Sequence, residues 1–246
     1  MRSIIVNMKK FKFNIHKGQI EKFFPKARIK TKAQIIEILM ESLQLIMQNH
    51  TIPEDKIGGT ITLVIERMSR LFFTSKKDKK IYSIVFPFFI EKVDDSFTIK
   101  LQKFEYLDCI EDDSFIEIDY QLISNILSFI KSDNFKEQCS LDFITPIIDE
   151  YEQYNKNFWI FLRELLLMED GYIRYDYDEK NYKKALENKE KHLHPLNHYD
   201  LFYSSNATFK IGLLNEISSN DIIEFLDLKK ECQYLVDFSN IKNLGG

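Results

Sequence analysis

Between Gly171 and Leu213 the chain gathers side chains able to bind a metal ion or move a proton. Three of its five histidines, His192, His194 and His198, fall within seven residues, and Asp200 follows at once. Just upstream lies Arg174-Tyr175-Asp176-Tyr177-Asp178. Imidazoles and carboxylates in such density are what a metal site or a general acid/base site is made from. In a strand, residues two apart share a face. Arg174, Asp176 and Asp178 therefore share one side, as do His198 and Asp200, and Thr208 and Lys210.

If those three strands are neighbours with their polar faces matched, the residues converge. Asp176, Asp178 and Asp200 would then hold Mg²⁺ or Mn²⁺ through oxygen, with His198 as base or further ligand. Lys210 would stabilise a charged transition state, as in a phosphodiesterase or nuclease. His194, with His192, would add nitrogen and shift the preference toward Zn²⁺. The geometric requirement is sharp: Asp176, His198, Asp200 and Lys210 on one face, in a concave pocket. The competing reading is an antiparallel sheet with one wet face, where Asp opposite Arg or Lys is a cross-strand pair worth roughly 0.2–1 kcal/mol. The spacing HxHxxxHxD matches no metal signature, and in His194-Pro195-Leu196-Asn197-His198 the proline sets a turn. Both readings stand at this level.

Charge supplies the second signal. The net charge of −4 hides an asymmetry: residues 1–32 carry ten Lys or Arg and a single acid, Glu21. From Phe104 to Ile130 there are seven acids and no Lys or Arg. Lys9, Lys10, Lys12, Lys26, Arg28 and Lys30, interleaved with Phe11, Phe13, Phe23 and Phe24, form a candidate nucleic-acid contact in which cations follow phosphates and rings stack on bases. On that reading, reversing Lys9, Lys10 and Lys12 abolishes binding. The same segment could instead dock on the acidic 105–119 region of this chain or a second copy. That acidic stretch lacks EF-hand spacing and reads as a loop with a helix N-terminus.

The elements that must position these groups read as α+β, with antiparallel sheet segments and long buried helices. Ile4–Ile15 alternates as a strand. Thr31-Lys32-Ala33-Gln34 is a capping box opening a helix over 32–49. Ile57-Gly58-Gly59 breaks the pattern, and Thr60–Glu66 is a strand running on toward Phe73. Ile81–Glu91 and Phe97–Tyr106 form a hairpin across Asp94-Asp95-Ser96, with Pro87 at an edge or bulge. Asp119–Lys131 is helical. Thr145-Pro146 opens a long helix that Gly171 ends. Tyr172–Asp178 is a strand, 180–191 a polar loop, and His198–Tyr203 with Thr208–Leu213 a hairpin turning at 204–206. A last helix starts near Ser219. The expected division is 1–115 and 116–246, as two parts or one continuous domain, with the C-terminal strands forming a small sheet of their own.

Composition bounds the rest. Three dispersed cysteines, Cys109, Cys139 and Cys232, give no disulfide framework or zinc knuckle, which fits a reducing, cytoplasmic setting. The N-terminus has no signal-peptide pattern, and the longest apolar run, Ile84–Ile90, is too short for a bilayer. GxGxxG, GxxxxGK[ST], GxSxG and HExxH are all absent, so nucleotide-driven and serine-hydrolase chemistries lack support. With 21 Phe and 12 Tyr, some rings are left over for a partner. The leading expectation is a cytoplasmic, bacterial interaction component of a larger assembly, with a protein partner or a second copy, possible nucleic-acid contact and no membrane. A defence or mobile-element system is a natural setting. The alternative is the metal-dependent phosphodiesterase.

Overall fold

The structure, a computed structural model, describes residues 9–26, 29–65, 68–77, 79–102, 115–132, 135, 157–190, 193–202, 208–227 and 229–231. Among the described residues, ten strands in two antiparallel sheets and six helices make it an α+β fold. The strands are β1 (Lys9–His16), β2 (Ile57–Ile65), β3 (Ser69–Ser75), β4 (Ile81–Val85), β5 (Phe89–Val93), β6 (Ser96–Gln102), β7 (Phe115–Glu117), β8 (Ile173–Tyr177), β9 (Asn197–Phe202) and β10 (Thr208–Leu213). The helices are α1 (Ile20–Phe23), α2 (Lys32–Gln48), α3 (Tyr120–Lys131), α4 (Phe158–Leu167), α5 (Glu179–Glu187) and α6 (Ser219–Phe225).

Where local chemistry is strong, the elements fall as the sequence indicates. At the start of α2, Thr31 Oγ1 accepts from the Gln34 N–H at 3.3 Å and Gln34 Oε1 accepts from the Thr31 N–H at 3.2 Å. The helix stops one residue short of the expected end, because Asn49 turns left-handed at φ 42°. Asp119 caps α3 by accepting from the Leu122 N–H at 2.7 Å. The β5–β6 hairpin turns at Asp94-Asp95, with Asp94 at φ 54°.

Other expectations need correcting. β2 starts at Ile57, before the expected Thr60, so Gly58 and Gly59 lie inside the strand. A Cβ on Gly59 would sit 2.8 Å from the Thr74 carbonyl oxygen, so β2 and β3 approach closely only with glycine there. The strand over 60–66 does not run on to Phe73; it turns back and pairs antiparallel with β3. Pro87 marks neither an edge nor a bulge. It lies between β4 and β5, where the chain leaves one sheet for the other. Residues 179–187, expected as loop, are helix α5, capped by Asp178 and carrying a Glu179–Lys183 pair four residues apart. The helix before β8 ends at Leu167, and Gly171 at φ +52° serves the entry to β8 instead. Residues 1–8, Thr145-Pro146, the turn at 204–206, all three cysteines and most of the acidic stretch lie outside the described residues.

The largest departure is that the C-terminal strands form no sheet of their own. β8 pairs with β4, giving one sheet in the order β1-β2-β3-β4-β8-β9-β10, and β5, β6 and β7 form the second. Both sheets take strands from each side of residue 115. Residues opposite one another in antiparallel neighbours share a face. One register row therefore crosses the whole sheet: Phe13, Ile61, Phe73, Tyr82, Arg174, Asp200, Lys210. Its first half is buried in the main core together with α2, α3, α4 and β6. The opposite face packs Phe72, Ile81, Ile173, Tyr175 and Tyr199 against Ile222 and Ile223 of α6. At Tyr82 the row changes character, from apolar to charged.

Gly171 offers a test of how β8 is seated. Its carbonyl accepts from Arg70, and a Cβ would lie 2.8 Å from both Arg70 Nη1 and Val85 Cγ2. Gly171→Ala is expected to lower stability by about 1–3 kcal/mol, from left-handed strain plus overlap. Urea unfolding reads this directly; an unchanged midpoint would contradict the seating described.

Candidate functional site

β8, β9 and β10 are adjacent and antiparallel, and their registers bring the polar residues together. Asp176 stands opposite His198, Arg174 opposite Asp200, and Asp200 opposite Lys210. Asp176, His198, Asp200 and Lys210 thus share one face, as the spacing required, and Arg174 joins them. Backbone pairing sets this meeting: an antiparallel ladder places alternate residues of three strands on one surface.

Asp200 is the centre. It is fully buried, and its two oxygens hold different cations: Oδ1 accepts from Lys210 Nζ at 2.7 Å and Oδ2 from Arg174 Nη2 at 2.5 Å. The same Arg174 nitrogen reaches Asp176 Oδ2 at 2.6 Å. Lys210 Nζ also donates to His198 Nε2 at 2.7 Å, and His198 Nδ1 lies 2.8 Å from the Pro195 carbonyl oxygen. Those partners fix the imidazole as the Nδ1–H tautomer, donating to Pro195 and accepting from Lys210. Its Nε2 is 3.8 Å from Asp200 Oδ1.

The protonation states follow from these contacts. Burial pushes the Asp200 carboxyl up, but Lys210 and Arg174 outweigh it and hold the group below its ordinary value. Burial lowers the His198 imidazole, and the Lys210 charge lowers it further, so the ring is neutral at pH 7. Burial opposes the Arg174 charge, but Asp176, Tyr172 and Asp200 raise it overall. The Tyr172 phenol is pushed up to about 12, mainly by burial, and stays protonated. Two carboxylates face two cations around a neutral ring, so the formal charge of the five-residue network is zero.

Asp176, Arg174 and Lys210 form part of the floor of a cleft of about 370 Å³, walled by Phe24, Pro25, Lys26 and Ile29 on one side and by Lys80, Tyr172, Tyr177 and His194 elsewhere. His198 and Asp200 lie beneath it, with no exposure. A bound molecule therefore meets Lys210 and Arg174 first, not the imidazole. Lys26, Lys80, Arg174 and Lys210 stand in the lining with Asp176 and Asp178. Buried Asp200, and Glu21, which pairs with Lys26 at 3.1 Å, bring the formal charge to zero, so in a chain at −4 the cleft is less negative than the rest of the molecule.

The remaining candidates divide. Asp178 accepts from Asn181 at 3.1 Å (backbone) and 2.7 Å (side chain) as the cap of α5, and pairs with His194 Nε2 at 3.0 Å. Burial pushes the Asp178 carboxyl up, but these hydrogen bonds hold it below its ordinary value. Asp178 and His194 flank the network as a local capping pair and are not among the residues whose ligand atoms cluster. That cluster is Asp176, His198 and Asp200, one atom from each, all within 4.8 Å of one another. It is a group able to hold a metal ion. His192 and Arg28 lie outside the described residues.

The basic N-terminal set does not form one surface. Lys26 lines the cleft. Lys10 and Lys12 stand opposite Val64 and Thr62 on the other face of the sheet, and Lys10 Nζ reaches Asn220 Oδ1 at 3.4 Å. Lys9 lines a separate groove with Ile65, Met68 and Phe88. Lys30 is exposed, and its N–H is capped by Gln34. The phenylalanines are not free to stack on bases: Phe13 and Phe23 are buried, Phe11 packs on Phe97 and Phe24 on Tyr82. Lys80, Tyr82 and Tyr172 were not marked by the sequence. Tyr82 donates to the Phe23 carbonyl at 2.5 Å and so ties the cleft wall to the sheet.

No family model, curated protein or solved structure matches the chain.

The pH dependence of stability tests the network. His198 has a folded pKa below its ordinary 6.5, so between those values the unfolded chain takes up a proton that the folded one refuses. Stability from this group is complete above pH 6.5 and is lost as pH falls toward the folded value, by at most about 1.4 kcal/mol per pH unit. Asp200, lowered from 3.8, adds a loss only below that pH. Urea unfolding from pH 7.5 to 4.5 should show the first slope, and His198→Gln should lack it. Equal slopes in both proteins would contradict a neutral, buried His198.

Proposed function

We propose that this chain works by binding: it engages single-stranded nucleic acid through the cleft over β8–β10, as a cytoplasmic component of a larger assembly. The observation that carries this reading is the pair Arg174 and Lys210, presented at the cleft floor and held in place from beneath by Asp200. Long cationic side chains lose rotamer freedom when they bind; here buried partners have already fixed them. Lys26 and Lys80 extend the positive lining beyond what one phosphate needs. Exposed rings away from the cleft, Phe89 at 51% exposure in edge-to-face contact with Phe115, favour a protein neighbour on the second sheet. No helix among the described residues is long and apolar enough to cross a membrane.

A metal-dependent phosphodiesterase is the second reading, favoured by the clustering of Asp176, His198 and Asp200. Charge weighs against it. Both carboxylates are already neutralised, and Lys210 Nζ bonds two of the three candidate ligands. Lys210 would have to leave before an ion could enter.

Fluorescence anisotropy with a labelled 12-nucleotide single strand tests the proposal. Lys26→Glu, Lys80→Glu and Lys210→Glu should each weaken binding, and each should reduce the salt dependence by about 0.7 in log K against log salt. Lys9→Glu/Lys10→Glu/Lys12→Glu should leave affinity within about two-fold, since Lys10 and Lys12 face away from the cleft and Lys9 lines another groove. The reverse pattern would move the contact to β1. A rise in melting temperature with Mg²⁺, Mn²⁺ or Zn²⁺ that Asp176→Asn removes would favour the metal reading instead.

A further inference from the structure

Among the described residues each sheet ends in two strands paired on one side only, and three of those four edges are guarded. β1 carries exposed Lys9, Lys10 and Lys12 and an irregular register between Ile15 and His16. β5 carries Glu91 and Lys92, both exposed, and β7 is three residues long. Lysines, bulges and shortness are the devices that keep sheet edges from pairing. β10 has none of them. Its six residues, Thr208-Phe209-Lys210-Ile211-Gly212-Leu213, pair in regular register with β9. Its one charge is turned back into the sheet, since Lys210 Nζ bonds Asp200 and His198. What remains toward solvent is apolar: Phe209 is 54% exposed, Gly212 is exposed, and Ile211 and Leu213 are half-buried.

We propose that β10 is a dimer interface, pairing antiparallel with β10 of a second copy across a two-fold axis at Ile211. The strand is complementary to itself in that register. Phe209 meets the partner's Leu213, Ile211 meets the partner's Ile211, and Lys210 meets the partner's Gly212. Opposite residues share a face, so the apolar side chains cover one another on the face away from the cleft. No like charges stand opposite. A centre at Lys210 sets the two lysines against each other, and a centre at Phe209 or Gly212 shortens the overlap. The interface is isologous, and main-chain hydrogen bonds along the edge supply affinity as they do when any strand is added to a sheet. The partner's Gly212 brings no side chain over Lys210, so each cleft stays open, and both clefts face the same side of one sheet running through two copies. The interface does not depend on what the clefts bind.

Sedimentation velocity on the intact protein tests the pairing. The native chain, 29.4 kDa as a monomer, is expected to be mostly dimer at about 100 µM, a modest affinity because a six-residue edge is a small interface. Phe209→Lys and Leu213→Glu should each weaken the dimer at least about ten-fold, since each breaks two cross-strand pairs. Mixed in equal amounts, the two variants should dimerise again: one position then pairs the new lysine with the new glutamate, and the other keeps Phe209 against Leu213. Phe89→Lys, on β5 of the second sheet, should dimerise as the native protein does. A native protein that stays monomeric at about 100 µM would overturn the proposal, as would a dimer that Phe209→Lys leaves intact. A dimer lost in Phe89→Lys but not in Phe209→Lys moves the interface to the second sheet. If both β10 variants are monomeric and their mixture is too, pairing about Ile211 is wrong. Should circular dichroism show Leu213→Glu unfolded, Phe209→Lys at its exposed position still decides.

Discussion

Asp200 is the residue on which the C-terminal half of the sheet depends. It is a carboxylate without solvent exposure, and each oxygen holds a cation from a neighbouring strand, Arg174 on β8 and Lys210 on β10. Stripping two charges of water costs several kcal/mol per ion, and their attraction repays this only when every lone pair is used. Asp200 has a cation at each oxygen. Asp176 has one at Oδ2 and, among the described residues, no partner at Oδ1. The fold therefore carries a polar network that well-packed apolar residues of similar volume would replace at little cost or with a gain. Such a network is poorly explained by stability and better explained by what it holds in place.

The register row from Phe13 to Lys210 explains how one sheet face serves two purposes. Over β1–β4 that face is roofed by α2, α3 and α4, and its residues are aromatic or aliphatic. Over β8–β10 it is instead bordered by the connector residues Phe24, Pro25, Lys26 and Ile29, which line the cleft. Tyr82 sits at the join: its ring stacks on Phe73 at 4.4 Å, while Tyr172 meets its other side edge-on at 5.8 Å. Its hydroxyl fixes the connector through the Phe23 carbonyl. The main core thus sets the width of the cleft, and cleft and core belong to one packed unit.

Much of the site was legible because it is written in a period of two. Arg174-x-Asp176 and His198-x-Asp200 fix which residues share a face within a strand, and only the pairing of strands was missing. That pairing followed from chain order for β9–β10, and for β8–β9 once 179–187 folds as a connecting helix. The capping box at Thr31 is legible for the same reason, since its partners lie within three residues. What escaped is non-local. Nothing within β8 announces that it joins β4, about ninety residues earlier (Tyr82 opposite Arg174), so Tyr82, Lys80 and the connector could not be placed beside it. Helix α5 was missed for another reason. Its composition is nearly all polar, and its start signal, the Asp178 cap, also fits a metal-binding carboxylate on the preceding strand.

The charges were also misweighed, and the reason is physical. A sequence lists carboxylates and imidazoles as potential ligands, but a group already bonded to a cation or serving as a cap is less available to a metal ion. Asp178 uses its oxygens on Asn181 and His194, His198 uses Nε2 on Lys210, and Asp200 uses both oxygens on cations. In the same way, Lys9, Lys10 and Lys12 count toward a basic segment in the sequence yet stand on the first strand of the sheet, away from the cleft. Once bonds already made are subtracted, Lys210 has one N–H left of three and Asp176 has one oxygen left of two. The residue types suggest a cation site; the hydrogen-bond partners show that Arg174 and Lys210 already occupy the carboxylates it would use.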